Sequence, residues 1–330
     1  MILGALGPRL RPEERAFFAD AQPWGFILFA RNLETPDQVR RLSDSLRAAV
    51  GRDAPILIDQ EGGRVQRIGP PHWRQWLPPL DQMQAAGRDA PRAMYLRSRI
   101  IADELRAIGI DVNCAPMADI ADPCTHAILR NRCYGTDAAT VTQAARAVAE
   151  GLLAGGVLPV LKHIPGHGRA FVDSHLSLPV VDDSAETLRA RDFAPFRALN
   201  DLAIGMTAHI VYSAIDADNP ATCSARMIRL IREDIGFAGL LMTDDISMQA
   251  MQGDLPSRCR AALDAGCDLV LHCNGDLHEM RMVADVSGPL TGAARSRADT
   301  ALEARPAPQP IDIKAAEAEL KALLQVKTDG

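Results

Sequence analysis

No stretch of this chain approaches the roughly 18 consecutive apolar residues that a bilayer-spanning helix requires, although 47% of its 330 residues are hydrophobic. A basic excess is also missing. Lys and Arg total 36 against 42 Asp and Glu, the net charge is −6, and the basic residues are dispersed. Neither nucleic acid nor a membrane surface is therefore expected as a partner. The opening residues MILGALGPRLRPEER contain a short apolar run but no preceding basic region and no A-x-A cleavage pattern, so they make a poor signal peptide. Seven cysteines (114, 124, 133, 223, 259, 267 and 273) include no C-x-x-C pair, and their number is odd. They read as small buried hydrophobes in a reducing compartment, not as a disulfide framework or a metal cage. These absences leave a cytoplasmic, enzyme-sized chain that can bury a large core.

What the chain does have is a repeated unit. Eight short apolar runs recur: MILGAL (1–6), GFILFA (25–30), APILID (54–59), DVNCAPM (111–117), VLPVLKH (157–163), LAIGMTAH (202–209), GLLMTD (239–244) and CDLVLHC (267–273). Continuous apolar runs of this length suit strands buried on both faces, as in a parallel sheet. Helix-period segments lie between them at Thr35–Val50, Ala90–Ile108, Asp137–Ala154, Asp183–Leu199, Ser224–Ile235 and Pro256–Ala265. In the first, Thr35 is the candidate N-cap, Pro36 the first helical residue and Gln38 the completing member of a capping box. Eight alternating units predict a (β/α)8 TIM barrel of α/β class, with an open doubly wound sheet as the alternative. No GxGxxG follows an early strand, which weakens the dinucleotide-binding version of that alternative. The barrel is expected over 1–303. A Pro-rich segment, ARPAPQPIDI (304–313), and a terminal helix over 314–327 complete 304–330 and pack on it.

Polar residues collect where the strands end, which is where a barrel builds its active site. They are Arg31 and Asn32, Asp59 and Arg67, Asp119, Lys162 and His163, His209, Asp244 and Asp245, and Asn274. An apolar strand ending in a charge is a poor core design unless the charge faces a polar cavity, so a shared pocket is the better reading. The stretch KHIPGHGRAFVDSHLSLP (162–179) concentrates three of the eight histidines. A metal site is disfavoured there. Pro165 and Gly166 oppose the helix that would align His163 with His167, and the glutamate of H-E-x-x-H is missing. A Schiff-base role for Lys162 is disfavoured as well, because the neighbouring carboxylates would hold it cationic. Asp173 and His175, two apart, could act as a carboxylate-oriented proton carrier, or His175 could simply satisfy local carbonyls. His167, between two glycines, reads as a loop-shaping residue. Asp244 or Asp245 could be a base, ligand or nucleophile, and Asp245 has a plainer alternative as a helix N-cap.

KHIPGHGRAFVDSH, together with DQEGGRVQR (59–67), NRCYG (131–135) and LMTDDISM (241–248), resembles glycoside hydrolase family 3, in its single-domain bacterial β-N-acetylglucosaminidase branch. Similarity runs from ILFARN (27–32) to LHCNG (271–275). The resemblance implies a retaining hydrolase with Asp244 as nucleophile and His175, assisted by Asp173, as acid/base. It also implies sugar contacts from Asp59, Arg67, Arg132, Lys162 and His163. The implied substrate is a muropeptide, GlcNAc β-1,4-linked to 1,6-anhydro-MurNAc with a peptide, and neither metal nor organic cofactor is implied. Only 4% of residues are aromatic, which fits an exo-acting pocket better than a long stacked groove; a monomer is expected. Alternatives are a β-glucosidase or glycoside phosphorylase of the same family, or a sugar-binding relative without catalysis.

Overall fold

The computed structural model describes residues 1–123, 125–170, 178–248 and 251–325. Eight parallel strands close a barrel: β1 (Ile2–Gly4), β2 (Gly25–Leu28), β3 (Ile56–Ile58), β4 (Val112–Asn113), β5 (Leu158–Ile164), β6 (Ile204–Thr207), β7 (Leu240–Asp245) and β8 (Leu269–His272). Each pairs with its chain neighbours, and β1 pairs with β8 to complete the ring. Six strands lie within the apolar runs marked above, and β5 and β7 each extend one residue beyond theirs, to Ile164 and Asp245.

The alternation of side chains along a strand divides these residues into two sets. Ile27, Leu57, Val112, Leu158, Val160, Ile204, Met206, Leu240, Met242, Leu269 and Leu271 pack together as the barrel's interior. Their neighbours Phe26, Leu28, Ile56, Ile58, Leu161, Leu241 and Val270 join the larger core shared with the helices. Both faces are dry, which is why the runs are apolar without a break. Two acidic side chains tie the strand starts. Asp111 accepts the Ile56 amide at 2.7 Å and Asp268 the Leu241 amide at 2.9 Å. Arg47 and Arg305 neutralise the first carboxylate, and Arg232 and Arg297 the second.

Helix caps follow ordinary side-chain chemistry. Thr35, Asp137, Ser224 and Asp254 each accept an amide from the first turn of their helices. At the first of these the reciprocal bond is displaced by one residue, because Gln38 Oε1 accepts from Glu34 N rather than Thr35 N. The expected helix at Asp183–Leu199 is instead two short ones, Ala185–Ala190 and Ala194–Ala198. Pro195 lacks an amide hydrogen and restricts the residue before it, so one continuous helix is broken there. Helices at Pro12–Ala21, Pro79–Ala86, Leu277–Ser287 and Gly292–Glu303 add to those expected from periodicity. The Pro-rich segment lies across the strand starts, where Gln309 N donates to Ala154 O at 2.8 Å. The last helix, Ile313–Gln325, buries Ala316 and Leu320 and pairs Glu319 with Arg92. Among the described residues, no helix is long and apolar enough to cross a membrane.

The helices Ala90–Ala107 and Ala138–Ala154 pack closely at Gly151. A Cβ there would lie 2.5 Å from Tyr95 O and 2.9 Å from Ser98 Cβ. Alanine favours a helix over glycine by about 1 kcal/mol, but overpacking a rigid backbone contact costs about 1–3 kcal/mol, so the steric term wins. Gly151→Ala is expected to lower unfolding free energy by about 1–2 kcal/mol in urea titration. Gly7→Ala, with nothing within 4 Å of the added carbon, should change it by less than about 0.5 kcal/mol. A stabilised Gly151→Ala would contradict the packing argument.

Candidate active site

The interior side-chain set runs on past the apolar layers and ends in polar groups. Leu57 is followed in phase by Asp59, Val160 by Lys162, and Met242 by Asp244. These three line a cavity of about 390 Å³ together with Arg64, Arg67, Arg132, His163, His167 and Asp245. Ile27, Phe29, Met206, Leu271 and Cys273 form its apolar lining. Most of the expected site residues are thereby brought together. Asp173 and His175 lie outside the described residues.

Lys162 is the most heavily buried cation in this group, with 2% of its side chain exposed. Its ammonium lies 3.0 Å from Asp59 Oδ1 and 2.6 Å from Glu61 Oε1. Arg67 holds the other Asp59 oxygen at 3.1 Å. Arg132 clasps Glu61 with two bonds, Nε to Oε2 at 2.9 Å and Nη2 to Oε1 at 2.8 Å. Burial alone lowers a lysine pKa and raises a carboxylate's, but here pairing outweighs it. Burial depresses Lys162, yet Asp59 and Glu61 raise it above its ordinary value. Burial raises Asp59, yet Lys162 and Arg67 bring it well below the usual carboxylate range. Burial likewise opposes ionisation of Glu61, but Arg132 and Lys162 bring its pKa to about 2. Every member of this chain of charges is therefore ionised at neutral pH. That state disfavours a nucleophilic amine and favours a fixed donor.

The hairpin after β3 sets this geometry. Gln60 pairs with Asn113 through N to Oδ1 at 2.9 Å and Nδ2 to O at 3.1 Å. Its own Oε1 accepts the Arg67 and Ile68 amides, folding Arg67 back over Asp59. Gly62 and Gly63 turn the chain with φ of 104° and 58°, conformations that favour glycine. Buried Arg97 braces the turn, donating to Glu61 O, to Leu77 O at 2.9 Å and to Gln82 Oε1 at 2.7 Å. A side chain at Gly62 would collide with that guanidinium.

A second group sits at the ends of β5, β6 and β7. Asp119 accepts from His163 Nδ1 at 2.7 Å and from the His167 amide at 2.5 Å. The carboxylate fixes the His163 tautomer with its proton on Nδ1. The His163 and His167 rings meet edge to face at 5.4 Å. Burial, reinforced by His163, lowers the His167 pKa to about 4, so that ring is neutral. His209 donates Nε2–H to Asp245 O at 3.0 Å, and its Nδ1 meets Thr222 Oγ1 at 2.7 Å. Burial lowers its pKa against the pull of Asp244.

The two neighbouring aspartates differ in how fully they are engaged. Asp245 accepts from Ser247 N and Oγ and from Cys273 N. Among the described residues, Asp244 accepts only the Asp245 amide, at 2.8 Å. Burial would raise its pKa, but His209, His163, that amide and Lys162 lower it instead. Together these outweigh burial and keep Asp244 ionised at neutral pH. An ionised carboxylate with unspent lone pairs faces the cavity.

Some expected strand-end groups do not join the cavity. Arg31 donates to Ala5 O and Cys273 O, and Asn32 to Ala5 O and Gly7 O. Asn274 pairs with Glu279. These side chains serve backbone carbonyls and a helix start, which a strand-end position permits as readily as a cavity. His167, expected only to shape the loop, also lines the cavity. Glu61 and Arg97 are the functional positions that the sequence reading lacks. Glu61 lies within DQEGGRVQR, but its partner Arg132 is 71 residues away. Among the described residues, no three His, Cys, Asp or Glu side chains are grouped to hold a metal ion.

Linkage gives the charge chain a pH signature. The Glu61 pKa falls from 4.5 to about 2 on folding, so its contribution is complete above about pH 4.5 and is lost as pH falls towards 2. Glu61→Gln is expected to destabilise the protein at neutral pH by about 3–5 kcal/mol, through the cations left under-compensated. Urea titrations should show the gap to wild type narrowing as pH falls from about 5 to about 3. A gap independent of pH would contradict this assignment.

Comparison with known proteins extends this site to a family. Residues 3–300 match the glycosyl hydrolase family 3 N-terminal domain. A beta-hexosaminidase of Methylococcus capsulatus is 40% identical over 274 residues, covering 82% of this chain and 81% of that protein. One of Stenotrophomonas maltophilia is 36% identical over 305 residues, covering 89% of each. Among solved structures, NagZ from Neisseria gonorrhoeae in complex with N-trifluoroacetyl-D-glucosamine superposes with a TM-score of 0.85 at 32% identity. That alignment covers 98% of this chain and 97% of the other. A match that begins in the first barrel strand and ends beyond the eighth takes in the whole cavity, and the chain belongs to glycoside hydrolase family 3.

Proposed function

We propose that this chain is a retaining exo-β-N-acetylglucosaminidase that removes terminal GlcNAc from muropeptides, acting as a cytoplasmic monomer. Its family and its beta-hexosaminidase relatives make it a β-N-acetylhexosaminidase. The observation that carries the mechanism is the ionised, nearly unengaged Asp244 carboxylate facing the same cavity as Lys162, Arg67 and Arg132. Asp244 attacks the anomeric carbon and forms a glycosyl ester. His175, oriented by Asp173, protonates the departing oxygen and then takes a proton from the attacking water. In this reading Lys162, Arg67 and Arg132 donate to sugar hydroxyls and the acetamido group, while Asp59 and the unprotonated Nε2 of His163 accept from hydroxyls. The cavity volume supports a pocket for a terminal sugar rather than a groove.

The charge chain supports the chemistry as well as the binding. Asp59 and Glu61 leave one of their three cations uncompensated, and Asp244 balances it. When Asp244 becomes a neutral ester, the surrounding donors retain a net positive field. That field favours return of the carboxylate, which is the leaving group of the second step.

Wild type should release p-nitrophenol from p-nitrophenyl β-GlcNAc, and Asp244→Ala should reduce kcat by at least about 10³-fold. Unchanged release by the variant would remove Asp244 from the nucleophile's role. His175→Ala should slow a natural disaccharide by about 10²–10⁴-fold and the aryl glycoside by less, because nitrophenolate leaves without protonation. Equal slowing of both would argue against His175 as the acid.

A further inference from the structure

The hairpin that carries Asp59, Glu61 and Arg67 presents one more guanidinium. Arg64 is exposed and lines the main cavity. It also lines an adjoining depression of about 230 Å³ with Pro78, Pro79, Asn131 and Arg132. Arg67, Arg132 and Lys162 each face a carboxylate. Arg64 has no hydrogen bond or ion pair among the described residues. Its backbone is nevertheless fixed. Gly63 N donates to Trp76 O at 3.0 Å, and Arg97 holds the Glu61 and Leu77 carbonyls on the other side of the turn. A free cation on a braced hairpin bridges the sugar cavity and a proline-walled recess.

We propose that Arg64 and the Pro78–Pro79 depression form an aglycone subsite for a carboxylate carried on the leaving group. The inference rests on the glycosidase reading above. The cations of the inner cavity are already engaged by Asp59 and Glu61, so an acidic substituent gains most beside the uncompensated guanidinium. The proline rings offer apolar surface to the aliphatic carbons that join such a carboxylate to the sugar. A neutral aglycone gains nothing from Arg64, so the subsite sets preference among leaving groups while the GlcNAc contacts stay the same.

Two substrates that differ only in charge isolate this effect: GlcNAc-β-1,4-anhydro-MurNAc with a free lactyl carboxylate, and its methyl ester. The quantity read is the ratio of kcat/KM for acid over ester, using the full-length protein. Wild type should favour the acid by about fivefold, the scale of a solvent-exposed ion pair, and the preference should shrink with added salt. Arg64→Ala should bring the ratio to about one, and Arg64→Lys should keep part of it, both with wild-type melting temperatures. An acid/ester ratio in Arg64→Ala equal to that of wild type overturns the inference and leaves the glycosidase reading intact. The inference also falls if wild type cleaves p-nitrophenyl β-GlcNAc but neither disaccharide. Failure of wild type on all three substrates overturns the glycosidase reading and the subsite with it.

Discussion

A lysine ammonium almost wholly removed from water is the constraint around which this site is built. An isolated buried ammonium costs several kcal/mol or more, and Lys162 can remain charged only because Asp59 and Glu61 both reach it. Those carboxylates come from the hairpin after β3, so the hairpin must fold back over the barrel mouth. Gln60, Asn113, the two turn glycines and buried Arg97 hold it there. Arg67 and Arg132 then engage the same carboxylates, leaving one positive charge for Asp244 to balance. Removing either carboxylate strips one partner from Lys162 and leaves Arg67 or Arg132 without its own, so binding geometry and stability share one set of contacts.

The barrel supplies the direction in which these groups face. Alternation along a strand sends every second residue inward, and the apolar interior set continues into Asp59, Lys162 and Asp244 at the strand ends. The same arithmetic that fills the barrel with Leu, Val and Met therefore delivers charge to its mouth. Asp119 and His209 stand behind this inward layer. One fixes a tautomer at His163 and the other holds the carbonyl of Asp245. Their contribution is to orient the groups that line the cavity.

The strands were legible in the sequence because both faces of each are dry, which leaves unbroken apolar runs. The cavity was legible in part. Asp59, Lys162, His163 and Asp244 stand at strand ends, but so do Arg31, Asn32 and Asn274, whose side chains serve nearby carbonyls and a helix start. Position along the chain does not distinguish the two outcomes, and the parity known once the barrel closes does so only in part, since His163 lines the cavity out of phase with Lys162 and Arg31, in phase with Ile27, does not. Parity together with local hydrogen bonding also separates Asp244 from Asp245, whose carboxylate is engaged by Ser247 and Cys273. Glu61 escaped notice because its value depends on Arg132, a residue distant in sequence. The single helix expected at Asp183–Leu199 ignored Pro195, where backbone chemistry outweighed periodicity.

The central claim is that the inward-facing aspartate of the pair at the end of β7 carries the glycosyl group. Trapping the intermediate with a 5-fluoro glycoside, followed by proteolysis and mass-spectrometric mapping, tests it most directly. The account predicts a single labelled peptide with the sugar esterified to Asp244. A label on Asp245, or on a peptide from any other strand end, would contradict it.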